Sequence, residues 1–368
     1  MKNLSTLILL TTISFGCTNT QDTSMNPFFT EYGTPYQIPP FEKIKEEHYM
    51  PAFTQGMKEQ LEEIDVITND PESPSFENTI VELERTGETL NKVSDVFFNL
   101  VSSNTNDQMD SIAAEVTPKL SAHSDAISLN KKLFSRVSSV YAQRNDLNLN
   151  TEQMRLVEET YKDFIRSGVQ LDESSMEKLT KINQELSSLS VQFDQNLLKE
   201  TNEGFNLIIE DENQLEGLPD DFRDQAAKLA ESEGLSGKWV FKPTRVSMYP
   251  FLTYSTQRDL REKLYTSYVK RGDNDNENDN KDLAIKMADL RVQRANILGY
   301  DTHADYVLED TMAQNIGRVK NLLDQVWEPG LARAKKESEE MQELIQQEGG
   351  NFKLAAWDWW HYSEKIRQ

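Results

Sequence analysis

Cysteine is nearly missing from this chain: Cys17 is the only one in 368 residues. No disulfide can therefore close within the chain, and no cysteine-based zinc knuckle can be built. Histidine is scarce as well. His48, His123, His303 and His361 are the only four. No two of them stand three or four residues apart, so none can form a two-histidine metal face on a helix, and H-E-x-x-H does not occur. Each is read as a structural histidine, His48 as a surface or hydrogen-bonded one. A G-x-S-x-G elbow and a G-x-x-x-x-G-K-[ST] loop are both absent, which leaves nucleophilic hydrolysis and phosphate cradling without a carrier. Positive charge is in short supply too: 39 Lys and Arg face 62 Asp and Glu, for a net charge of -23. That charge repels phosphate backbones and anionic head groups, which speaks against a nucleic-acid partner. Paired carboxylates are so common that no single pair is informative.

What is present is a long, core-forming, mostly helical pattern. The length exceeds what one compact core accommodates, so two or more packed units are expected. Residues 1–16 read as a secretory signal: Lys2 supplies a short positive region, Leu4 to Phe15 an apolar stretch too short to span a bilayer. Gly16-Cys17 resembles the lipobox of bacterial lipoproteins, with Ser14 and Phe15 as departures. On that reading Cys17 is lipidated, the protein is exported, and residues 17–26 are a tether.

A helical region is expected over 27–203. Its first part is a proline- and aromatic-rich arm, followed by a helix from Pro51 to Val66. Ser75 caps a further helix, whose stripe runs from Phe76 through Leu100 and includes Gly87, where a neighbouring helix could approach closely. Residues 108–145 keep helical spacing, with Pro118 expected to bend or interrupt them. Asn150 and Gly168 bracket the next helix. Ser174 with Glu177 forms a capping box for a run carrying Leu179, Ile182, Leu186, Leu189 and Phe193. That stripe is expected to pack back on its predecessor as a long hairpin.

The pattern changes over 204–250, read as a small strand-containing insertion. Phe205, Leu207 and Ile209 alternate, as do 239–241 and, loosely, 246–248, around a short helix ended by Gly234. Helices resume over 251–368. The loop Asp273-Asn-Asp-Asn-Glu-Asn-Asp-Asn280 has the composition of a calcium loop. It lacks glycine at the sixth position, and Ala284 stands where a bidentate glutamate is needed, so a solvated loop ending in a helix cap is expected. Thr302 caps a short helix, and Asn315 opens a long one to Glu348, with a kink at Pro329.

The chain then runs into Trp357-Asp-Trp-Trp-His-Tyr362. Asp358 is placed as an N-cap, its carboxylate accepting from the first-turn N–H groups. Trp357 and Tyr362 have the spacing of a hydrophobic staple, and Trp359 is a packing residue. With no cap after Ile366, the sequence is expected to stop inside a domain.

Several stretches together resemble one family. They are Asn26-Pro-Phe-Phe29, Ile38-Pro-Pro-Phe41 through Phe53, Ser75-Phe-Glu-Asn-Thr-Ile80, Tyr161-Lys-Asp-Phe-Ile-Arg-Ser-Gly168, Ile182-Asn-Gln-Glu-Leu-Ser-Ser-Leu-Ser190, Asn278-Asp-Asn-Lys281, Leu298-Gly-Tyr300 with 306–313, and 357–362. In order, they are similar to the M3 family of zinc oligopeptidases, in its bacterial peptidyl-dipeptidase (dipeptidyl carboxypeptidase) branch, with His361 where that pattern carries Tyr. The resemblance implies a mainly α fold, the N-terminal helical lobe of a neurolysin-like two-lobed metallopeptidase. It also implies short peptides as substrates, a monomer, and zinc held by H-E-x-x-H and a downstream glutamate. None of those ligands can be carried onto a residue here, so no catalytic and no metal residue is assigned, and residues 1–368 are expected to be inactive alone. The alternatives are an oligopeptidase A-like endopeptidase and a non-catalytic surface lipoprotein that binds peptides.

Overall fold

In a computed structural model, residues 26–368 are described, so the signal, Cys17 and nearly all of the tether lie outside the described residues. The chain divides into two compact units.

One unit comprises residues up to 71 with 81–112. Helices α1 (Glu46–Asn69) and α3 (Glu88–Asn104) pack together, with the short α2 (Glu82–Arg85) before α3. Helix α1 begins five residues earlier than the sequence pattern suggests. The Lys45 N–H donates to His48 Nδ1 at 3.1 Å, closing the first turn, and Pro51 then removes only one helical hydrogen bond. His48 is thus a hydrogen-bonded structural histidine. Phe53 and Phe97 are fully buried and meet edge to face at 5.3 Å, and Tyr49 and Phe28 extend the same cluster. The arm is anchored to it by Asn26, whose amide donates to the His48 carbonyl at 2.9 Å.

The expected continuous helix from Phe76 to Leu100 is broken. Gly87 adopts φ +81 and starts α3 anew, its N–H donating to Glu63 Oε2 at 2.7 Å. A neighbouring helix does approach at Gly87, where an added Cβ would lie 2.6 Å from the Gln60 side chain of α1, and the two backbones meet closely at Gly56, where it would lie 2.8 Å from the Leu90 backbone.

The other unit holds 72–80 and 113–368. Ser75 does cap: its Oγ accepts from the Asn78 N–H at 3.1 Å, and the Asn78 side chain accepts from the Ser75 N–H at 2.8 Å. Helix α4 (Asp107–Ser128) continues without interruption past Pro118. The interruption comes at Asn130, which accepts from the Lys132 and Leu133 N–H groups and starts α5 (Lys131–Gln143). Helix α6 (Thr151–Ser167) has the expected Asn150 cap and Gly168 stop, at φ 93. It stacks Tyr161 on Tyr141 of α5 at 3.9 Å.

Helix α7 (Glu173–Asn202) is capped by Asp172, not Ser174; the Asp172 carboxylate accepts from the Ser175 N–H at 3.0 Å. Its apolar stripe does not form a hairpin with α6. Ile182, Leu186 and Leu189 pack instead on Leu290, Leu283, Met287 and Ile297 of α11 (Lys281–Ile297), about a hundred residues further along. Apolar periodicity states that a face is buried, not what buries it. Each aliphatic side chain so buried stabilises by about 1.5–3 kcal/mol.

Between these helices, β1 (Leu207–Ile209) and β2 (Trp239–Phe241) form an antiparallel pair, Leu207 opposite Phe241, with α8 (Asp220–Ser232) between them. Residues 246–248 are helical rather than extended. Thr244 accepts from the Ser247 N–H at 3.3 Å and starts α9 (Arg245–Tyr254), which continues past the 250 boundary expected for the insertion. Helix α10 (Arg258–Val269) follows. Ahead of α11, the acidic loop is closed by a lysine in place of a metal: Lys281 Nζ lies 2.7, 2.7 and 2.9 Å from Asp273, Asp275 and Asp279. Then come α12 (His303–Leu308) with its Thr302 cap, α13 (Ile316–Gln347), continuous through Pro329, and α14 (Trp359–Arg367). The fold is mainly α with one two-stranded sheet.

Candidate functional site

Two polar centres stand out, both within the larger unit. The first gathers the residues singled out at 357–362. Asp358 is fully buried, and Arg261 is only 2% exposed. Arg258 donates to both oxygens of Asp358, through Nε at 3.1 Å to each and Nη2 at 2.9 Å to Oδ2; Arg261 Nη2 reaches Oδ1 at 2.8 Å. The Ala355 N–H also donates to Oδ2, at 3.1 Å. Helix α14 begins after Asp358, but the side chain makes no hydrogen bond to its first turn, so the expected capping role is replaced. Guanidinium groups from α10 are charged donors and outcompete neutral amides for a carboxylate.

The expected staple also separates. Trp357 joins the cluster of the sheet, α9 and α10, with Tyr265 at 6.3 Å. Tyr362 and Trp359 join Met341 and Ile345 of α13. Asp358 therefore sits at the seam of two apolar clusters, and its two arginines tie them. The Arg258 guanidinium also lies 4.3 Å from the Phe352 ring centre, a cation–π contact. Next to this seam, His361 is buried and its Nδ1–H donates to the Thr253 carbonyl at 3.2 Å. Burial first, then the charges of Arg261 and Lys365, push its pKa down to about 4, so it is neutral near pH 7. Asp358, Arg261 and His361 are all turned inward, and Arg258 is partly exposed. The carboxylate of Asp358 is spent on holding the seam together.

The second centre is a cavity of about 700 Å³ lined by α4, α6, α7, α11 and α12. Leu120, Leu179, Leu186 and Leu298 give it apolar walls, and Ser121, Ser124, Ser187 and Ser190 give hydroxyls. Three arginines reach it: Arg166, Arg291 and Arg294. Arg166 is committed, to Glu309, to the Tyr306 carbonyl at 2.7 Å and to the face of the Tyr306 ring. The acid of the cavity is Asp125, whose two oxygens accept from Asn183 Nδ2 at 3.0 and 3.2 Å. Burial raises its pKa, against the lowering effect of Asn183, Thr180 and Arg294. His303 is held below its ordinary pKa by burial and by Arg294 and Arg291.

Sequence reasoning did not single out this cavity. The available signal was Arg294 standing on the stripe of Leu283, Met287, Leu290 and Ile297, a cation at a position whose neighbours are core.

Among the described residues, the one group of three potential metal ligands is Glu159, Asp163 and Asp310. It is all carboxylate, and Lys162 already pairs with Glu159 and Asp310 at 2.5 Å each. No helix among the described residues is long and apolar enough to cross a membrane.

Residues 251–368 match Peptidase family M3. The chain is similar to dipeptidyl carboxypeptidase of Escherichia coli (strain K12), 33% identical over 346 residues, which is 94% of this chain and 51% of that protein. It is 32% identical to dipeptidyl carboxypeptidase of Salmonella typhimurium over 94% of this chain and 51% of that protein. It is 31% identical to oligopeptidase A of Haemophilus influenzae over 90% of this chain and 49% of that protein. The chain spans about half the length of the curated relatives it matches.

Proposed function

We propose that this chain, similar to peptidase family M3 over residues 251–368, is the helical, non-catalytic part of a zinc peptidase of that family that releases dipeptides from the C-termini of short peptides. The observation that carries this reading is the likeness to two dipeptidyl carboxypeptidases across 94% of the chain. The mainly α architecture is consistent with it.

Zinc would be supplied with residues other than these. The one candidate ligand cluster among the described residues has three carboxylates, no histidine, and a lysine ammonium already paired with two of them, so it does not fit a zinc site built on imidazole and carboxylate ligands. No step of peptide hydrolysis is therefore assigned to a residue of this chain.

Two assays test the proposal. Residues 17–368 incubated with zinc and an N-blocked tripeptide should release no dipeptide; turnover would overturn the non-catalytic reading. A protein carrying these residues together with an H-E-x-x-H segment should release C-terminal dipeptides and lose that activity to a chelator. The likeness to oligopeptidase A supports a second reading, an endopeptidase of the same family, and internal cleavage of an amidated peptide would favour it.

For placement in the cell, we propose export with a lipid on Cys17, supported by the signal-like residues 1–16 and Gly16-Cys17. A Cys17→Ser protein should leave the membrane fraction on washing without detergent; retention there would sink the idea. Short peptides are the proposed partners, and a monomer the proposed state.

A further inference from the structure

We propose that the cavity lined by α4, α7, α11 and α12 binds a small organic molecule through one oxyanion, a carboxylate or a phosphate, held by Arg291 and Arg294. The site is independent of peptide hydrolysis.

The first reason is unspent charge. In a chain of net charge -23, arginines are expected to be paired with carboxylates, as Arg166 is with Glu309 at the edge of the same cavity. Arg291 and Arg294 have no hydrogen bond or ion pair to any described residue. Arg294 has the face of the Tyr306 ring, 5.3 Å from its guanidinium carbon, and the more distant charge of Asp125, and its Nε is wholly removed from solvent without an acceptor. A buried N–H left without an acceptor carries its full desolvation penalty, which an incoming oxygen would relieve.

The second reason is charge balance inside the cavity. Arg166 and Glu309 cancel, His303 is kept neutral, and the carboxylate of Asp125 can offset one of the two remaining guanidiniums. One positive charge is left over. It stands on one face of α11, because residues three apart are neighbours on a helix. Planar guanidinium forks match carboxylate and phosphate geometry.

The third reason is room and lining. A volume of about 700 Å³ is within the ordinary range for small-molecule sites and far exceeds a simple ion. Beyond the arginines, Thr117 Oγ1, Asn183 Oδ1 and His303 Nδ1 are also buried without a partner, and leucines line the rest. Such a lining fits a ligand with an anionic head and a short, partly polar body.

The test is calorimetric titration of the chain with N-acetylalanine, with its uncharged amide, and with inorganic phosphate. Binding of N-acetylalanine and not of the amide assigns a carboxylate; binding of phosphate alone assigns a phosphate ester. In either case Arg291→Gln and Arg294→Gln should each weaken binding at least tenfold. Arg291 is exposed, so its substitution leaves the fold intact, which circular dichroism checks. Lys286→Gln, on the same helix but paired with Glu185 and outside the cavity, should leave binding unchanged. No binding of either anion, equal binding of the amide, or equal weakening by Lys286→Gln would each overturn the proposal.

Discussion

Arg258 holds Asp358 by both carboxylate oxygens, with Nη2 2.9 Å from Oδ2, at a point in the chain one hundred residues earlier. Arg261 completes the clasp from inside the core at 2.8 Å. Breaking such a buried pair by removing one partner leaves uncompensated charge, at a cost of about 3–5 kcal/mol. Asp358→Asn should therefore lower the unfolding free energy measured by chemical denaturation by that much. Arg258→Gln should cost less, because Arg258 is partly solvent-exposed and Arg261 still neutralises the carboxylate. Equal losses from the two substitutions would contradict this account of the seam.

His361 makes stability depend on pH in a definite direction. Its pKa falls from 6.5 to about 4 on folding, so the unfolded chain takes up a proton that the folded one refuses. Stability from this group is complete above about pH 6.5 and is lost as pH falls toward 4, by roughly 3 kcal/mol in all. A His361→Gln variant, able to keep the bond to the Thr253 carbonyl, should show a flatter profile between those pH values. Denaturation midpoints at pH 7.5 and 4.5 in both proteins provide the check.

Glycine to alanine should have opposite signs at two helical positions. At Gly56 the new Cβ would lie 2.8 Å from backbone atoms of Leu90, so α1 and α3 must move apart, at about 1–3 kcal/mol. At Gly330, inside α13, nothing lies within 4 Å, and the gain in helix propensity is about 0.5–1 kcal/mol. Thermal melts of Gly56→Ala and Gly330→Ala should shift down and up respectively.

The acidic loop before α11 is organised by Lys281. Its hydrogen bond is the main reason that the Asp279 pKa falls to about 2. In Lys281→Met, the Asp279 titration should move up from about 2 toward its ordinary value, held partly down by the Lys281 and Asp275 N–H groups, visible as a displaced carboxyl carbon resonance. An unchanged midpoint would mean that backbone N–H groups, not the ammonium, hold the carboxylate ionised.

Much of the local structure could be read from residues alone. Asn150, Thr302 and Asn315 each accept from the backbone N–H three residues on, and Gly168 and Gly349 take the left-handed turn that ends a helix. These are short-range contests between a side chain and a few neighbouring amides, so a sequence window contains both parties. The mainly α fold and the small strand pair at 207–209 and 239–241 were legible for the same reason, through periodicity. The likeness to peptidase family M3 was legible as well, from motifs spread along the chain.

What tertiary structure decided was partnership at long range. The α7 stripe had a visible apolar face, but only the fold chose α11 over α6 to cover it. Asp358 had the residue type and position of a cap, until two arginines from α10 offered it stronger donors. In the sequence Arg291 looks like an ordinary surface cation, and Arg294 is marked only by standing on an apolar stripe. Only the packing of α4, α7 and α12 around α11 places them on a cavity whose one carboxylate, Asp125, makes no ion pair with either. Local propensity is encoded in neighbouring residues, whereas the energy of a buried charge depends on groups that sequence order leaves far apart.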